Sequence, residues 1–487
     1  MKNIKVSIIA SLFLAAFVSS SCEFGDINQD RDNILTAPIN QQLTSLTVNV
    51  GFFAGSDLNR FSSLITQQFS GQSTGALNQT QLYESFQISG ADQNNAWSSL
   101  YATILNDAEN IITNAKATNS PHYSGVAKIM KAYSYQVAVD TWGKIPFSDT
   151  QKLAANTKPK YDSDEEIYTG IVKLLDEGIA EVNATTSNIS PGTNSTIFPG
   201  AFSSTKNNWI KLANTLKLRI YIHYSEKNPT FAKSSIDQLV GSGAPLFTSN
   251  ADNFQMNFLD AANARNPIDQ FETARVGQLV VNARLVNIMN GKTDPRRQFF
   301  FTQFPAGSGN YVGAVSGAPA AANSYSKFHT YLRGAFLTAA YSGAAPIRML
   351  TFAEYNFIRA EAALRFASPG NADTFFRAGI TASMESAGVS ATDITTYLAA
   401  NGTLTGTNAQ KLEQIITEKY VANYGVLLEP WTDWRRTGYP ALTLPSNAVT
   451  TAIPRSLFYP QTEIDLNSEN VKQKADMNVK VFWDTRQ

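Results

Sequence analysis

Cys22 is the residue whose surroundings most clearly indicate a chemical modification. It is the only cysteine among 487 residues, and it follows the uncharged run 6–18 and three serines. Two lysines, Lys2 and Lys5, precede the run. A basic start, a short apolar segment and small residues before a break are typical of a secretory signal peptide. The run is shorter than a bilayer span requires. Residues 1–21 are therefore predicted to be a signal peptide.

A signal peptide followed directly by cysteine is the pattern of a bacterial lipoprotein, in which the thiol receives a diacylglycerol. Several acyl chains together give a stable membrane anchor. The pattern departs from the usual one at Ser19, where leucine is common. An ordinary cleaved signal that leaves a free thiol is the alternative. The acidic residues after Cys22 lack the glycine and glutamate that a calcium loop requires, since Arg31 and Ala37 stand there. Residues 22–40 are interpreted as a tether.

Ser73 is a candidate nucleophile, because GQSTG at 71–75 matches the G-x-S-x-G pattern of serine hydrolases. That pattern is meaningful only between a strand and a helix. The preceding residues FSSLITQQFS predict the end of a helix or a loop. An esterase that uses Ser73 is therefore kept only as a remote alternative.

Glu354 and Glu361 could form the carboxylate pair of a glycosidase. Seven residues along a helix give a rise of about 10.5 Å, more than the roughly 5–9.5 Å between the carboxyl groups of such enzymes. Arg365 also follows Glu361 by one helical turn, the spacing of an ordinary ion pair. His122, His223 and His329 do not have the spacing of zinc ligands. No cofactor or metal is predicted.

The segment EPWTDWRRTGYP, residues 429–440, contains charged and aromatic residues that could bind an anion. Adjacent Arg435 and Arg436 cannot easily face one pocket in regular structure. Because buried charges are normally paired, we expect a buried ion pair between Asp433 and one of these arginines, framed by tryptophans.

These residues lie among amphipathic helices. Apolar residues recur at three- and four-residue spacing, which predicts helices with one buried face. Pro121 suits the first turn of one helix, and Ser163 with Glu166 has the spacing of a capping box. Adjacent helices with short links predict a mainly α-helical stack of hairpins. The predicted helical stretches lie within 96–117, 119–143, 161–182, 207–225, 349–366, 374–388 and 409–425.

Residues 291–347 differ from the helical stretches because they are rich in Gly, Ala, Ser and Pro and also in aromatic residues. A long irregular segment in a compact protein is usually functional or disordered, and the aromatic residues argue for function. We predict that it forms a ligand-binding face through Tyr311, Tyr325 and Tyr331, with Tyr83 ahead of the first hairpin. The chain has 39 basic and 39 acidic residues. It therefore has no excess of positive charge that would attract nucleic acid.

Several segments together resemble the SusD/RagB family of nutrient-binding outer-membrane lipoproteins. They occur in order along nearly the whole chain after residue 21. The most specific are the D-x-W-G-x-I-P block at 140–146 and WRRTGYP at 434–440, although Trp142 replaces a commoner tyrosine. The remaining segments are FGDINQD, AWSSLYATILNDAENII, YDSDEEIYTGIVKLLDEGI, FAEYNFIRAEAALR and YPQTEIDLN.

The resemblance implies a single α-helical domain, residues 22–487, with tetratricopeptide-like hairpins and an irregular face. It implies attachment at the outer membrane through Cys22 and a SusC-like TonB-dependent transporter as partner, with this protein as the lid that captures ligand. It also implies a binding protein without catalytic activity, whose ligand is an oligosaccharide or an oligopeptide. In the family, the helix that Trp97 begins borders the ligand surface. A core role for Trp97 is the other interpretation.

Overall fold

Helical hairpins form most of the chain in the computed structural model, which describes residues 37–152 and 155–486. The helices are α1 (Ile39–Ala54), α2 (Asp57–Ile65), α3 (Gln79–Glu84), α4 (Asn94–Ser98), α5 (Leu105–Ala117), α6 (Pro121–Trp142), α7 (Asp164–Val182), α8 (Phe202–His223), α9 (Pro229–Gly241), α10 (Pro267–Ala274), α11 (Ala283–Gly291), α12 (Arg297–Phe300), α13 (Thr330–Arg333), α14 (Phe352–Phe366), α15 (Ala372–Ala387), α16 (Ala391–Asn401), α17 (Asn408–Ala422), α18 (Glu429–Thr437) and α19 (Gln461–Leu466).

Local signals in the sequence explain where these helices begin. Pro121 occupies the first turn of α6, where its missing N–H costs nothing. The Ser163 side chain accepts a hydrogen bond from the Glu166 N–H, and Glu166 bonds back to the Ser163 backbone. The capping box predicted at the start of α7 is therefore confirmed. α6 is buried along almost its whole length, as expected of a helix that is apolar on most sides.

Neighbouring helices pack in pairs. α6 packs on α5 and α7, α8 packs on α7 and α9, and α14 packs on α15 and α17. The prediction of a mainly α-helical protein built from helical hairpins is confirmed.

Two short antiparallel sheets lie beside the helices. β1 (Phe69–Gly71) pairs with β3 (Leu279–Val281), and β2 (Phe254–Met256) pairs with β4 (Ile347–Leu350). Between α11 and β4 the chain is largely irregular, interrupted by α12, α13 and a short 3₁₀ turn. Part of it lies along β3, because Ala314 N–H donates to Val281 O at 3.0 Å and Ala283 N–H donates to Ala314 O at 2.7 Å.

A network of buried charges joins α8, α14, α17 and α18. Arg219 of α8 donates to both carboxylate oxygens of Glu354, each at 2.7 Å. Lys419 of α17 lies 3.0 Å from Glu429 and 2.8 Å from Asp433. All these groups are nearly inaccessible to solvent. Buried charges require such pairing, and here the pairing links four helices to one another.

Asp433 and Arg436 form the predicted buried ion pair, with 2.8 Å between Oδ1 and a guanidinium nitrogen. Arg436 also binds Glu361, which contacts Arg365 at 3.2 Å as the spacing predicts. Arg435 faces elsewhere: it donates to Asp140 O at 2.7 Å, and its guanidinium lies over the rings of Trp431 and Trp483. Glu354 and Glu361 are therefore structural.

Between residues 37 and 486, apart from 153 and 154, no helix is long and apolar enough to cross a membrane. The same residues contain no group of three or more His, Cys, Asp or Glu side chains that could hold a metal ion.

Candidate ligand-binding site

A cavity of about 420 Å³ with a mixed polar and apolar lining, called here the Arg284 cavity, opens where α11 begins. Four parts of the chain form it: the turn after α2, the start of α11, the irregular segment and the loop after α18. Its lining residues are Gln67, Asn282, Ala283, Arg284, Asn287, Ile288, Val315, Ser316 and Thr443.

Gln67 lines the cavity, and its backbone has a strained conformation. Its φ is +59°, a left-handed conformation that residues other than glycine seldom adopt. The Tyr420 hydroxyl donates to Gln67 O at 2.8 Å and holds this conformation. The Gln67 side-chain amide in turn donates to Thr443 O. Non-glycine residues in such conformations are concentrated at binding sites, where the surrounding structure compensates for the strain.

Arg284 provides the only charged group among the lining residues. Its guanidinium makes two long hydrogen bonds, to Gln67 Oε1 and Thr443 Oγ1, both at 3.4 Å. No carboxylate pairs with it in the described ranges 37–152 and 155–486. Because Arg has five N–H donors, most of its hydrogen-bonding capacity remains free for a ligand.

Asn282 and Ser316 connect the cavity to the irregular segment. Asn282 caps α11, since its Oδ1 accepts a hydrogen bond from Arg284 N–H at 2.8 Å. Its side-chain amide donates to Ser316 Oγ at 2.8 Å. The irregular segment is thus tied to the helix that carries Arg284 and Asn287.

The lining combines side-chain amides, hydroxyls and one guanidinium with the apolar side chains of Ile288 and Val315. It contains no carboxylate. Amide and guanidinium N–H groups donate to hydroxyl and carbonyl oxygens, and apolar surface beside them suits a partly apolar ligand. The cavity can therefore bind a neutral or weakly anionic molecule rich in hydroxyl and amide groups.

Sequence reasoning missed the cavity because its residues come from positions as distant as 67 and 443. Neither Gln67 nor Thr443 lies in a recognisable binding motif. The Asn282 cap next to Arg284 was the one readable signal, since an N-cap places polar groups at a helix start.

Trp97 lies in the core, with 6% of its surface exposed. Its ring packs against Tyr101 at 4.3 Å and Trp142 at 5.1 Å, and lies parallel to Tyr161 at 6.3 Å. Its indole N–H donates to Glu463 Oε1 at 3.2 Å. These contacts fit the core interpretation and leave little of the ring accessible. Ligand contact through Trp97 stays a prediction.

Tyr83 is also buried, with 7% of its surface exposed. Its hydroxyl donates to Asp92 Oδ1 at 2.7 Å, and its ring meets Phe61 edge-on at 4.7 Å. Tyr83 does not line the Arg284 cavity.

The three tyrosines of the irregular segment lie in separate surroundings. Tyr331 is buried under Arg348, whose guanidinium carbon is 3.8 Å from the ring centre. Tyr311 is half-buried beside Arg297, and Tyr325 is half-buried against Val280 and its neighbours. In the described part of the chain no ring contact joins any two of Trp97, Tyr83, Tyr311, Tyr325 and Tyr331. The structure does not gather them into one platform, and their contact with ligand stays a prediction.

Ser73 lies in the loop between β1 and α3, and its hydroxyl donates to Gly75 O at 3.1 Å. No histidine contacts Ser73 within residues 37–152 and 155–486. The elbow geometry that a serine nucleophile requires is not formed. Cys22 and the start of the predicted tether lie outside the described residues.

The chain is similar to one family of proteins over most of its length. The model of a SusD-like family, described as starch-binding proteins associating with the outer membrane, matches residues 28–460. No curated protein matches the chain.

Solved structures resemble the whole fold. A chitin-binding protein is 26% identical, with a TM-score of 0.78 over 92% of this chain and 100% of its own. A chitin-binding SusD homologue from Flavobacterium johnsoniae is 22% identical, with a TM-score of 0.77 over 92% of this chain and 99% of its own. A SusD-like protein from Bacteroides thetaiotaomicron is 24% identical, with a TM-score of 0.77 and the same coverage. The latter two likenesses support the fold alone.

Proposed function

Because the chain belongs to the SusD-like family of outer-membrane nutrient-binding proteins, we propose that it captures an oligosaccharide in the Arg284 cavity for delivery to a transporter. The family consists of binding proteins without catalytic activity, so the chain is not an enzyme and Ser73 is not a nucleophile. The observation that carries the proposal is the lining of the cavity: amides, hydroxyls and an arginine without a carboxylate partner.

N-acetylated oligosaccharides of the chitin type are the first ligands to test. A relative 26% identical over almost the whole chain is a chitin-binding protein. The acetamido groups of chitin expose carbonyl oxygens, which the N–H groups of Arg284, Asn287 and Gln67 can satisfy. Sugar hydroxyls can pair with Ser316 and Thr443, and the carbon faces of the sugar rings can pack on Val315 and Ile288.

Calorimetric titration of the purified protein tests the ligand class. The probes are N-acetylchitohexaose, maltohexaose, and a neutral hexapeptide that represents the alternative oligopeptide cargo. We expect N-acetylchitohexaose to bind and the hexapeptide not to bind. Binding of the hexapeptide alone, or of none of the three, would contradict an oligosaccharide cargo.

The family also supports a SusC-like TonB-dependent transporter as partner, above which this protein would act as a lid, anchored by acyl chains on Cys22. Mild detergent extraction should recover the protein together with a large outer-membrane barrel. Recovery of this protein alone, under conditions that preserve other outer-membrane complexes, would count against the partner.

A further inference from the structure

Glu84 is a buried carboxyl group placed next to the wall of the Arg284 cavity. It ends α3 and is 1% exposed. The Ser70 hydroxyl donates to Oε1 at 2.7 Å, and Gly317 N–H donates to Oε2 at 3.3 Å. Its partners thus come from β1 and from the irregular segment.

No cation pairs with Glu84 in the described part of the chain. β1 and residues 315–317, which supply its hydrogen-bond partners, contain no charged residue, whereas α2, which packs on α3, carries Asp57 and Arg60. Nearby charges are directed elsewhere: Asp92 binds Tyr83, Arg60 binds Asp57, and Arg284 faces Gln67 across the cavity.

Burial raises the pKa of Glu84 to about 7, although the hydrogen bonds from Ser70, Gly317 and Ser316 oppose the rise. Glu84 therefore changes its charge close to neutral pH. The charged form accepts hydrogen bonds from donors roughly twice as strongly as a neutral carboxyl group does.

Two neighbouring residues, Gly317 and Ser316, link Glu84 to the cavity. Gly317 is adjacent to Ser316, whose hydroxyl accepts the hydrogen bond from Asn282. Asn282 and Ser316 both line the cavity. Gly317 lies against the loop after α18: its φ is +80°, and a Cβ there would lie 2.6 Å from Asn447. Gly317 and Ser316 thus connect the Glu84 carboxyl group to this wall of the cavity through hydrogen bonds.

We propose that Glu84 is a positioning residue of the Arg284 cavity, and that its carboxylate holds Gly317 and Ser316 in the ligand-binding arrangement. The hydrogen bonds from Gly317 and Ser316 lower the pKa of the buried Glu84, so ionisation strengthens them and fixes the wall formed by Val315–Gly317. Protonation loosens the wall, although burial makes the charged form unfavourable for the fold as a whole. Ligand affinity then falls on acidification. The inference rests on the proposed function, because it takes this cavity as the ligand site.

The first experiment needs no ligand, so it tests the positioning role alone. Amide hydrogen exchange of a peptide covering residues 312–318 is compared between the wild type and Glu84→Gln at the same pH, which cancels the intrinsic pH dependence. At about pH 8.5 the variant should exchange about fivefold faster or more, and at about pH 5.5 the two should agree within about twofold. Equal exchange at the higher pH would overturn the proposal.

The second experiment measures affinity for N-acetylchitohexaose between about pH 5.5 and 8.5. Wild-type affinity should fall by about threefold to tenfold on acidification. Glu84→Gln should bind as weakly as the acidified wild type at every pH. Ser70→Ala removes a donor to the carboxylate, so it should shift the midpoint of the wild-type profile to higher pH.

Glu272→Gln is the matched control, because Glu272 is another buried carboxyl group, with a pKa raised to about 8 by burial, and it does not line the cavity. It should leave both the hydrogen exchange of residues 312–318 and the pH profile of the affinity unchanged.

A pH-dependent affinity that persists in Glu84→Gln would overturn the proposal. If the exchange result holds but N-acetylchitohexaose binds with no pH dependence, Glu84 positions the wall and the cavity is not the ligand site. If the probe does not bind at all, the proposed ligand fails and the exchange result alone decides the role of Glu84.

Discussion

The indole N–H of Trp97 donates a hydrogen bond to Glu463 Oε1 at 3.2 Å. This contact joins the first helical hairpin to α19, a helix with no buried residue. Tyr161 donates to the other oxygen of Glu463 at 2.9 Å. One carboxylate thus holds the buried Trp97 and the half-buried Tyr161 at the surface helix.

Trp97→Ala should mainly destabilise the protein. Removing a buried tryptophan typically costs about 3–5 kcal/mol, and here Glu463 would also lose a hydrogen-bond donor. Urea unfolding should show this loss, while calorimetric titration of the folded variant should give an affinity near that of the wild type. Unchanged stability with affinity weakened about tenfold would instead support direct ligand contact, the other interpretation of the sequence.

The fold was largely predictable because its signals are local. Helix periodicity, Pro121 and the Ser163 capping box act within a few residues, and neighbouring helices pack as hairpins. Even the buried pairing of Asp433 follows from a short segment, since Arg436 lies one turn away.

The candidate site was not predictable in the same way. Aromatic residues in an irregular segment suggested a binding face, but burial depends on packing between distant segments: Tyr331 is covered by Arg348 and Trp97 by three other rings. The Arg284 cavity arises from contacts between distant residues, such as that between Gln67 and Thr443. No local sequence pattern predicts such a contact.

Cys22→Ala should release the protein from the outer membrane. The reason is that the thiol is the predicted acceptor of the lipid, and no other cysteine can replace it. Membrane fractionation and surface labelling measure the effect. Wild-type levels of the variant in the outer-membrane fraction would refute a lipid anchor at this position.

Stability should fall as the pH rises from about 5 to about 8.5, by a few kcal/mol. Burial raises the pKa of Glu84 to about 7 and that of Glu272 to about 8, above the ordinary value of 4.5. Folding therefore favours the protonated forms, and this contribution is lost as the pH rises from the unfolded pKa through the folded one. Urea unfolding at the two pH values measures the difference.

The double variant Glu84→Gln/Glu272→Gln should flatten this dependence, because an amide has no proton to lose. Glu469→Gln is the control, since Glu469 is exposed and pairs with Lys158 at the surface. A wild-type stability that does not fall over this pH range would contradict the burial effect on both carboxyl groups.

Glu361→Gln should destabilise the protein at neutral pH by about 3–5 kcal/mol, the usual cost of breaking a buried ion pair. Burial alone would raise the pKa of Glu361, but Arg436 and Arg365 outweigh it and lower the pKa to about 2. The stabilisation from this carboxylate is thus present above pH 4.5 and lost as the pH falls toward 2. Urea unfolding near neutral pH, compared with acid unfolding, measures both effects.

A double variant, Glu361→Leu/Arg436→Met, distinguishes the net contribution of the ion pair to stability from the cost of leaving one buried charge unpaired. Replacing both charges by apolar side chains should cost less than Glu361→Gln alone, because no unpaired charge stays buried. Asp433 still has Lys419 at 2.8 Å in that variant. A double variant less stable than the single one would show that the pair contributes net stability.

Arg284→Ala should weaken N-acetylchitohexaose binding by about tenfold, since a hydrogen bond from a charged donor is worth about 1.5–3 kcal/mol. The fold should survive, because the guanidinium is half-buried and has only long contacts with Gln67 and Thr443. Arg377→Ala is the matched control: Arg377 is exposed on α15, and its guanidinium makes a long contact with Leu398 O at 3.3 Å. Calorimetric titration and thermal melting are measured together. If Arg284→Ala binds like the wild type while Tyr325→Ala loses affinity, the ligand occupies the tyrosine face predicted from the sequence and not the Arg284 cavity.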